Sequence, residues 1–175
     1  PFVVVGMNDL FGASEAEAAR QLFYFMASRT GIAEADIERL WTESDLGLDV
    51  TALRAAIGSA ARKREALNNL KDTDANRFNL YSIQRVFLEF LEDAGIREER
   101  VPGGRGEVVF YNLGKFSQLI SDFESINYHS RPPEKFDTFA GFLEHRADGA
   151  YPEGWLNNQY ANPDAVRIMT VHQSK

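Results

Sequence analysis

The strongest constraint on the fold is a central stretch where apolar residues recur at intervals of three and four. These residues are Ile83, Val86, Phe87, Phe90, Leu91 and Ala94. The spacing places them on one face of an α-helix, and Gly95 follows at a position where glycine commonly ends helices. An aromatic stripe of this kind is typical of a core-facing surface. The chain has 13 Phe among 175 residues, so we expect a core packed on aromatic rings.

The same periodicity predicts five further helices. They cover residues 14–29, a short segment around residues 37–41, residues 51–67, residues 112–126, and a segment after Pro132 that carries Phe136, Phe139, Ala140 and Leu143. The S-x-x-E order of Ser14 and Glu17 predicts a capping box at the start of the first helix. The apolar run Val108 to Tyr111 predicts an extended segment, and the glycine-rich residues 101–106 before it predict a turn.

Both ends of the chain have the character of short strands. Residues 2–5 are a continuous apolar run that Gly6 ends, and Val166 to Val171 is rich in β-branched residues. Polar side chains then follow in residues 172–175, at the point where such a strand would end. Two strands separated by a helical body are typical of a helical domain inserted into an α/β domain. The predicted fold class is therefore mainly α, with a short strand at each end.

The last ten residues, V-R-I-M-T-V-H-Q-S-K, resemble motif V of the UvrD/Rep/PcrA-like superfamily-one DNA helicases, T-x-H-x-x-K-G-L-E. Thr170, His172 and Lys175 match that motif in order and spacing. The opening P-F-V-V-V-G is similar to the P-Y-x-V-x-G strand that precedes the 2B insertion in these helicases. The resemblance divides the chain into residues 1–12 and 164–175, two strands of a RecA-like 2A motor domain, and residues 13–163, a helical 2B-type subdomain.

The resemblance implies that the parent protein is a cytoplasmic DNA-repair type of helicase. It would use ATP and Mg²⁺ to move along single-stranded DNA and unwind a forked duplex. In the family, Thr170 and His172 would contact the DNA backbone, and Lys175 would lie at the turn toward the nucleotide. This chain has no Walker A loop, acidic Walker B strand or assignable arginine finger. We therefore expect it to have no catalytic residue, to bind no cofactor and to be inactive alone.

A second candidate DNA contact is the basic run Arg62, Lys63 and Arg64 near the end of the third predicted helix. Cations there suit the helix dipole, which is the purely structural interpretation. The functional interpretation is contact with duplex phosphates, as the 2B resemblance implies. The net charge of −7 argues against a broad nucleic-acid surface, so any DNA contact must be local.

Several other classes of function find no support in the sequence. The chain has no Cys, and its three His are far apart, so we expect no zinc site. No apolar run reaches membrane-spanning length, and we expect no membrane partner. Two alternatives to the helicase remain open. One is a helical domain that binds regulatory proteins without contacting nucleic acid, and the other is part of a RecB/AddA-like helicase-nuclease.

Overall fold

The computed structural model describes residues 10–70, 82–127 and 130–145. This part of the chain is mainly helical, as predicted, and contains six α-helices. They are α1 (Ser14–Met26), α2 (Glu34–Glu43), α3 (Val50–Asn68), α4 (Ile83–Asp93), α5 (Gly106–Ile126) and α6 (Pro132–His145). Short 3₁₀ turns occupy Leu10–Gly12, Glu98–Arg100 and Pro102–Gly104. No strand occurs in these residues, and the two predicted end strands lie outside them.

Helix α1 is the centre of the packing. Its backbone lies against α2, α3, α5 and α6, while α4 packs mainly against α3 and α5. Phe23 of α1 is fully buried, and its ring lies 5.1 Å from that of Phe139, 6.0 Å from those of Phe87 and Phe116, and 6.2 Å from that of Phe136. One ring on α1 therefore touches rings from α4, α5 and α6. The expectation of an aromatic core is confirmed.

At the starts of α3 and α4, side-chain oxygens accept hydrogen bonds from backbone amides. The Asp49 carboxylate accepts a hydrogen bond of 2.9 Å from the Ala52 amide at the start of α3. Ser82 accepts one of 3.1 Å from the Arg85 amide at the start of α4. Glu124 of α5 also accepts bonds of 2.8 and 3.2 Å from the first two amides of α4. Since amides in the first turn lack helical partners, these contacts fix where α3 and α4 begin.

The inner face predicted for α3 is confirmed, because Leu53, Ala56, Ile57, Ala60 and Leu67 are all buried. The prediction for Val108 to Tyr111 was wrong, because these residues form the first turns of α5 rather than an extended segment. Val109, Leu113 and Phe116 are buried at helical intervals, so the helical stripe begins inside the apolar run. Short apolar runs fit either structure, and tertiary packing decides between them.

The predicted capping box on α1 was also wrong. Ser14 is the first helical residue, and the preceding Ala13 makes no side-chain cap. The Ser14 hydroxyl instead donates to the Glu15 carboxylate over 3.2 Å. The predicted end at Arg29 is three residues too late, because α1 ends at Met26 and Ser28 has a φ of +57°.

No helix in the described ranges is both long enough and apolar enough to cross a membrane.

Candidate functional site

The basic run on α3 does not form one continuous cationic surface. Successive residues of an α-helix point about 100° apart, so Arg62, Lys63 and Arg64 leave the helix in three directions. Arg62 is exposed and has no ion-pair partner among the described residues. Lys63 and Arg64 are half-buried. The three cations therefore lie in different environments and differ in how accessible they are to a phosphate.

Lys63 is held in an ion pair that crosses from α3 to α4. Its Nζ lies 2.5 Å from the Glu89 carboxylate, and Arg85 contacts the other oxygen of the same group at 2.6 Å. Lys63 first, and then Arg85, hold the pKa of Glu89 below its usual range by hydrogen bonding to the charged carboxylate. This contact uses one of the three N–H donors of the Lys63 ammonium and holds its side chain between α3 and α4.

Arg64 packs on an aromatic ring. Its guanidinium carbon lies 3.9 Å from the centre of the Phe25 ring, which is buried on α1. This is a cation–π contact between α3 and α1. Because α3 continues to Asn68, Arg62, Lys63 and Arg64 lie before its last turn. Helix-dipole effects fall off within the last turn, so contacts with Glu89 and Phe25 explain Lys63 and Arg64 better than the dipole. Among the residues that the structure describes, Arg62 is the member of this run with neither an ion pair nor an aromatic contact.

The other three predicted DNA-contacting residues are Thr170, His172 and Lys175. They lie outside the described residues, so the proposed motif V contact stays a prediction.

Arg105, at the end of the glycine-rich turn, has a structural partner. Its guanidinium donates to the Ser44 carbonyl over 3.1 Å, across 61 positions of sequence. It also lines a space of about 300 Å³ beside Gly12 and Ser14 at the start of α1. Arg105 therefore braces the α2–α3 connector against the start of α5. Nothing local in the sequence marks this contact.

A buried polar pair, which local sequence patterns did not predict, links α1 and α5. Glu15 is 4% exposed and Asn112 is fully buried, and the Asn112 amide donates to the Glu15 carboxylate over 2.7 Å. Glu15 belongs to the polar start of α1, where a glutamate is usual. Asn112 is a polar residue within the apolar stripe of α5, and this is the sequence feature that could have indicated the pair. Because both groups are desolvated, the pair fixes how α1 and α5 align.

An apolar groove runs between α4 and α5. It has a volume of about 400 Å³, and Leu88, Leu91, Ile96, Phe110 and Leu113 supply its apolar lining. Leu88 is 49% exposed and Phe110 is 37% exposed, although both are large apolar residues. Leu88 is an apolar residue outside the buried face of α4, which Ile83, Val86, Phe87 and Phe90 form. An apolar residue at such a position is the sequence feature that indicates the groove. Its apolar surface suits contact with another apolar surface rather than with a phosphate.

The described residues contain no group of three or more His, Asp or Glu side chains placed to hold a metal ion. His145, at the end of α6, is exposed beside Glu144. No protein-family model, curated protein or solved structure matches the chain.

Proposed function

We propose that this chain is the 2B-type insertion of an ATP-dependent, UvrD-like DNA helicase, together with the flanking 2A strands. The observation that carries the proposal is the register of Thr170, His172 and Lys175 behind an apolar segment, with P-F-V-V-V-G at the opposite end. The mainly helical body between the two ends supports it, because an inserted helical subdomain is what the resemblance requires.

In this proposal the chain contributes DNA contact and regulation but no hydrolysis. ATP and Mg²⁺ would be held by parts of the parent protein that carry the phosphate-binding loop and the acidic strand. Thr170, His172 and Lys175 supply a hydroxyl, an imidazole and an ammonium, which suit phosphate contacts that hold a strand without reading its sequence. In this proposal Arg62, the exposed member of the α3 basic run, adds a phosphate contact from the helical body.

The proposal is tested by fluorescence anisotropy with labelled single-stranded and forked DNA. We expect weak binding that falls as salt rises, because few phosphates are contacted. A triple variant, Thr170→Ala, His172→Ala and Lys175→Ala, should lose single-strand binding. Arg39→Ala is the control, since Arg39 is exposed on α2 and its ion pairs among the described residues are with Asp36 and Glu43 of the same helix. Equal binding by the triple variant and the control would refute the motif V assignment.

A second candidate is a helical protein-interaction domain without nucleic-acid function. The apolar groove between α4 and α5 and the net charge of −7 favour it. Complete absence of DNA binding at low salt, by a chain that melts cooperatively, would favour this alternative. The RecB/AddA-like alternative differs in the parent protein, which would then carry a nuclease domain.

A further inference from the structure

The groove between α4 and α5 leaves large apolar side chains in contact with solvent. Leu88 and Leu91 of α4 and Phe110 of α5 contribute to its lining. Leu88 exposes 49% of its surface and Phe110 exposes 37%. Single exposed apolar residues are common on proteins, but a groove that gathers several of them is typical of a surface that binds another protein.

The groove also contains a glycine that the fold of a single chain does not require. Gly114 is exposed within α5, and a Cβ at this position would meet no heavy atom of the described residues within 4 Å. An alanine would therefore fit, and it would favour the helix more than glycine does. Gly114 lies one turn after Phe110 on the same face of α5. An open backbone position and a partly exposed ring are thus neighbours on one surface.

This arrangement is complementary to itself. When a two-fold axis relates two copies of a surface, residue i of each copy contacts residue j of the other. Two α5 helices that cross in this way, in opposite directions, can place the Phe110 ring of each copy on Gly114 of the other. The missing Cβ allows that close approach.

The charges in the groove have the same property. Glu92 and Arg97 both line it and are exposed, and neither forms an ion pair with another described residue. Arg97 donates a hydrogen bond of 2.9 Å to the neighbouring Ile96 carbonyl, and a guanidinium has further N–H donors. A uniformly basic or acidic partner would match one of these charges and repel the other. A second copy matches both, because Glu92 of each copy faces Arg97 of the other.

The net charge of the chain sets a limit on the strength of this association. Each copy carries −7, so two copies repel one another. The Debye length is about 8 Å at physiological ionic strength, which screens most of this repulsion but leaves contacts inside the groove effective. With few apolar residues in the groove, the dimer belongs at the weak end of protein interfaces.

We propose that the α4–α5 groove is an interface between two copies of this chain, with Phe110 of each copy on Gly114 of the other and Glu92 of each facing Arg97 of the other. The interface uses none of the predicted DNA contacts, so it goes beyond the helicase proposal and can fail without it. It also commits the groove, which the second candidate function assigns to a protein partner, to one occupant.

Sedimentation velocity of the full chain, from micromolar to millimolar concentration, tests the proposal. We expect a reversible dimer at the upper end of this range. Glu92→Arg and Arg97→Glu should each weaken the dimer about tenfold or more, because each change places like charges opposite one another at two symmetric positions. A chain that remains monomeric at millimolar concentration would overturn the proposal.

An equimolar mixture of the two charge variants tests the facing of the charges. In a mixed dimer the new arginine of one chain faces the new glutamate of the other, and the native Arg97 of the first faces the native Glu92 of the second. We therefore expect the mixture to dimerise as the wild type does, although each variant alone does not. A mixture that remains monomeric would contradict the proposed pairing.

A pair of glutamine variants locates the interface. Leu88→Gln changes the groove and should weaken the dimer about fivefold or more. Ile126→Gln removes a side chain that is 81% exposed at the end of α5, outside the groove, and should leave the dimer unchanged. Both positions are exposed, so both variants should fold, which the far-ultraviolet circular dichroism spectrum checks. Equal effects of the two variants would place the contact elsewhere and contradict the proposal.

Discussion

Substitution of Gly47 by alanine should destabilise the protein far more than the same change at another left-handed glycine. Gly47 has a φ of +66°, which costs an alanine about 1 kcal/mol. A Cβ at this position would also overlap the Arg100 carbonyl oxygen and lie 3.1 Å from the Arg100 carbonyl carbon. These are backbone atoms, so the overlap is relieved only if the connector or the 3₁₀ turn moves, at about 1–3 kcal/mol. The expected total loss is about 2–4 kcal/mol.

Gly31 provides the matched control for this prediction. Its φ is +84°, and a Cβ there would meet no heavy atom within 4 Å. Gly31→Ala should therefore cost only the backbone term of about 1 kcal/mol. Urea unfolding of both variants, followed by circular dichroism at 222 nm, gives the two free energies of unfolding. Equal losses would refute the close contact between Gly47 and Arg100, and with it the fixed position of the connector between α2 and α3.

Three further predictions concern the core, the α3–α4 ion pair and the basic run. Phe23→Ala should lower the free energy of unfolding by about 4 kcal/mol because it removes a fully buried ring. Phe110→Ala, which removes a ring that is 37% exposed, should lower it by about 1 kcal/mol. Similar losses of the two variants in urea unfolding would contradict the core assignment. Glu89→Gln should cost about 0.5–1 kcal/mol at pH 7. Because the pKa of Glu89 is lowered in the folded state, the ion pair stabilises the fold above the ordinary glutamate pKa. That stabilisation is lost as the pH falls through the lowered pKa. A difference in unfolding free energy between Glu89→Gln and wild type that persists at about pH 2 would contradict this. Arg62→Ala should weaken forked-DNA binding and reduce its salt dependence by about one phosphate contact, while Lys63→Ala should change both less. The reverse order in an anisotropy titration would show that Lys63, although paired with Glu89, is the stronger phosphate contact.

Local periodicity predicted the helices because each buries a stripe of residues close in sequence. The buried set of α3, from Leu53 to Leu67, and the stripe of α4, from Ile83 to Phe90, follow directly from 3.6-residue spacing. The start of α5 was missed because Val108 and Val109 are adjacent β-branched residues, which fit a strand as well as a helix. Their burial depends on packing against other parts of the fold, which a short window of sequence does not contain.

Features of the candidate sites depend on contacts between distant segments, so local patterns in the sequence could not predict them. Glu15 meets Asn112 across 97 positions, and Lys63 meets Glu89 across 26. The three cations on α3 are adjacent in sequence and look equivalent there. What distinguishes them in the fold is that Lys63 pairs with Glu89 and Arg64 packs on Phe25, whereas Arg62 is exposed. Side-chain chemistry can be read locally, but whether a cation is free to meet a phosphate is decided by the fold.

The helicase proposal rests on the matches at the two ends of the chain, so the most direct test is the coding sequence on either side of it. The proposal predicts a G-x-x-x-x-G-K-[ST] phosphate-binding loop encoded upstream of Pro1, and Gly-Leu-Glu directly after Lys175 with an arginine-bearing motif beyond. A stop codon immediately after Lys175, with no phosphate-binding loop upstream, would contradict the proposal. The match of Thr170, His172 and Lys175 would then be a coincidence, and the helical protein-interaction domain would be the better account.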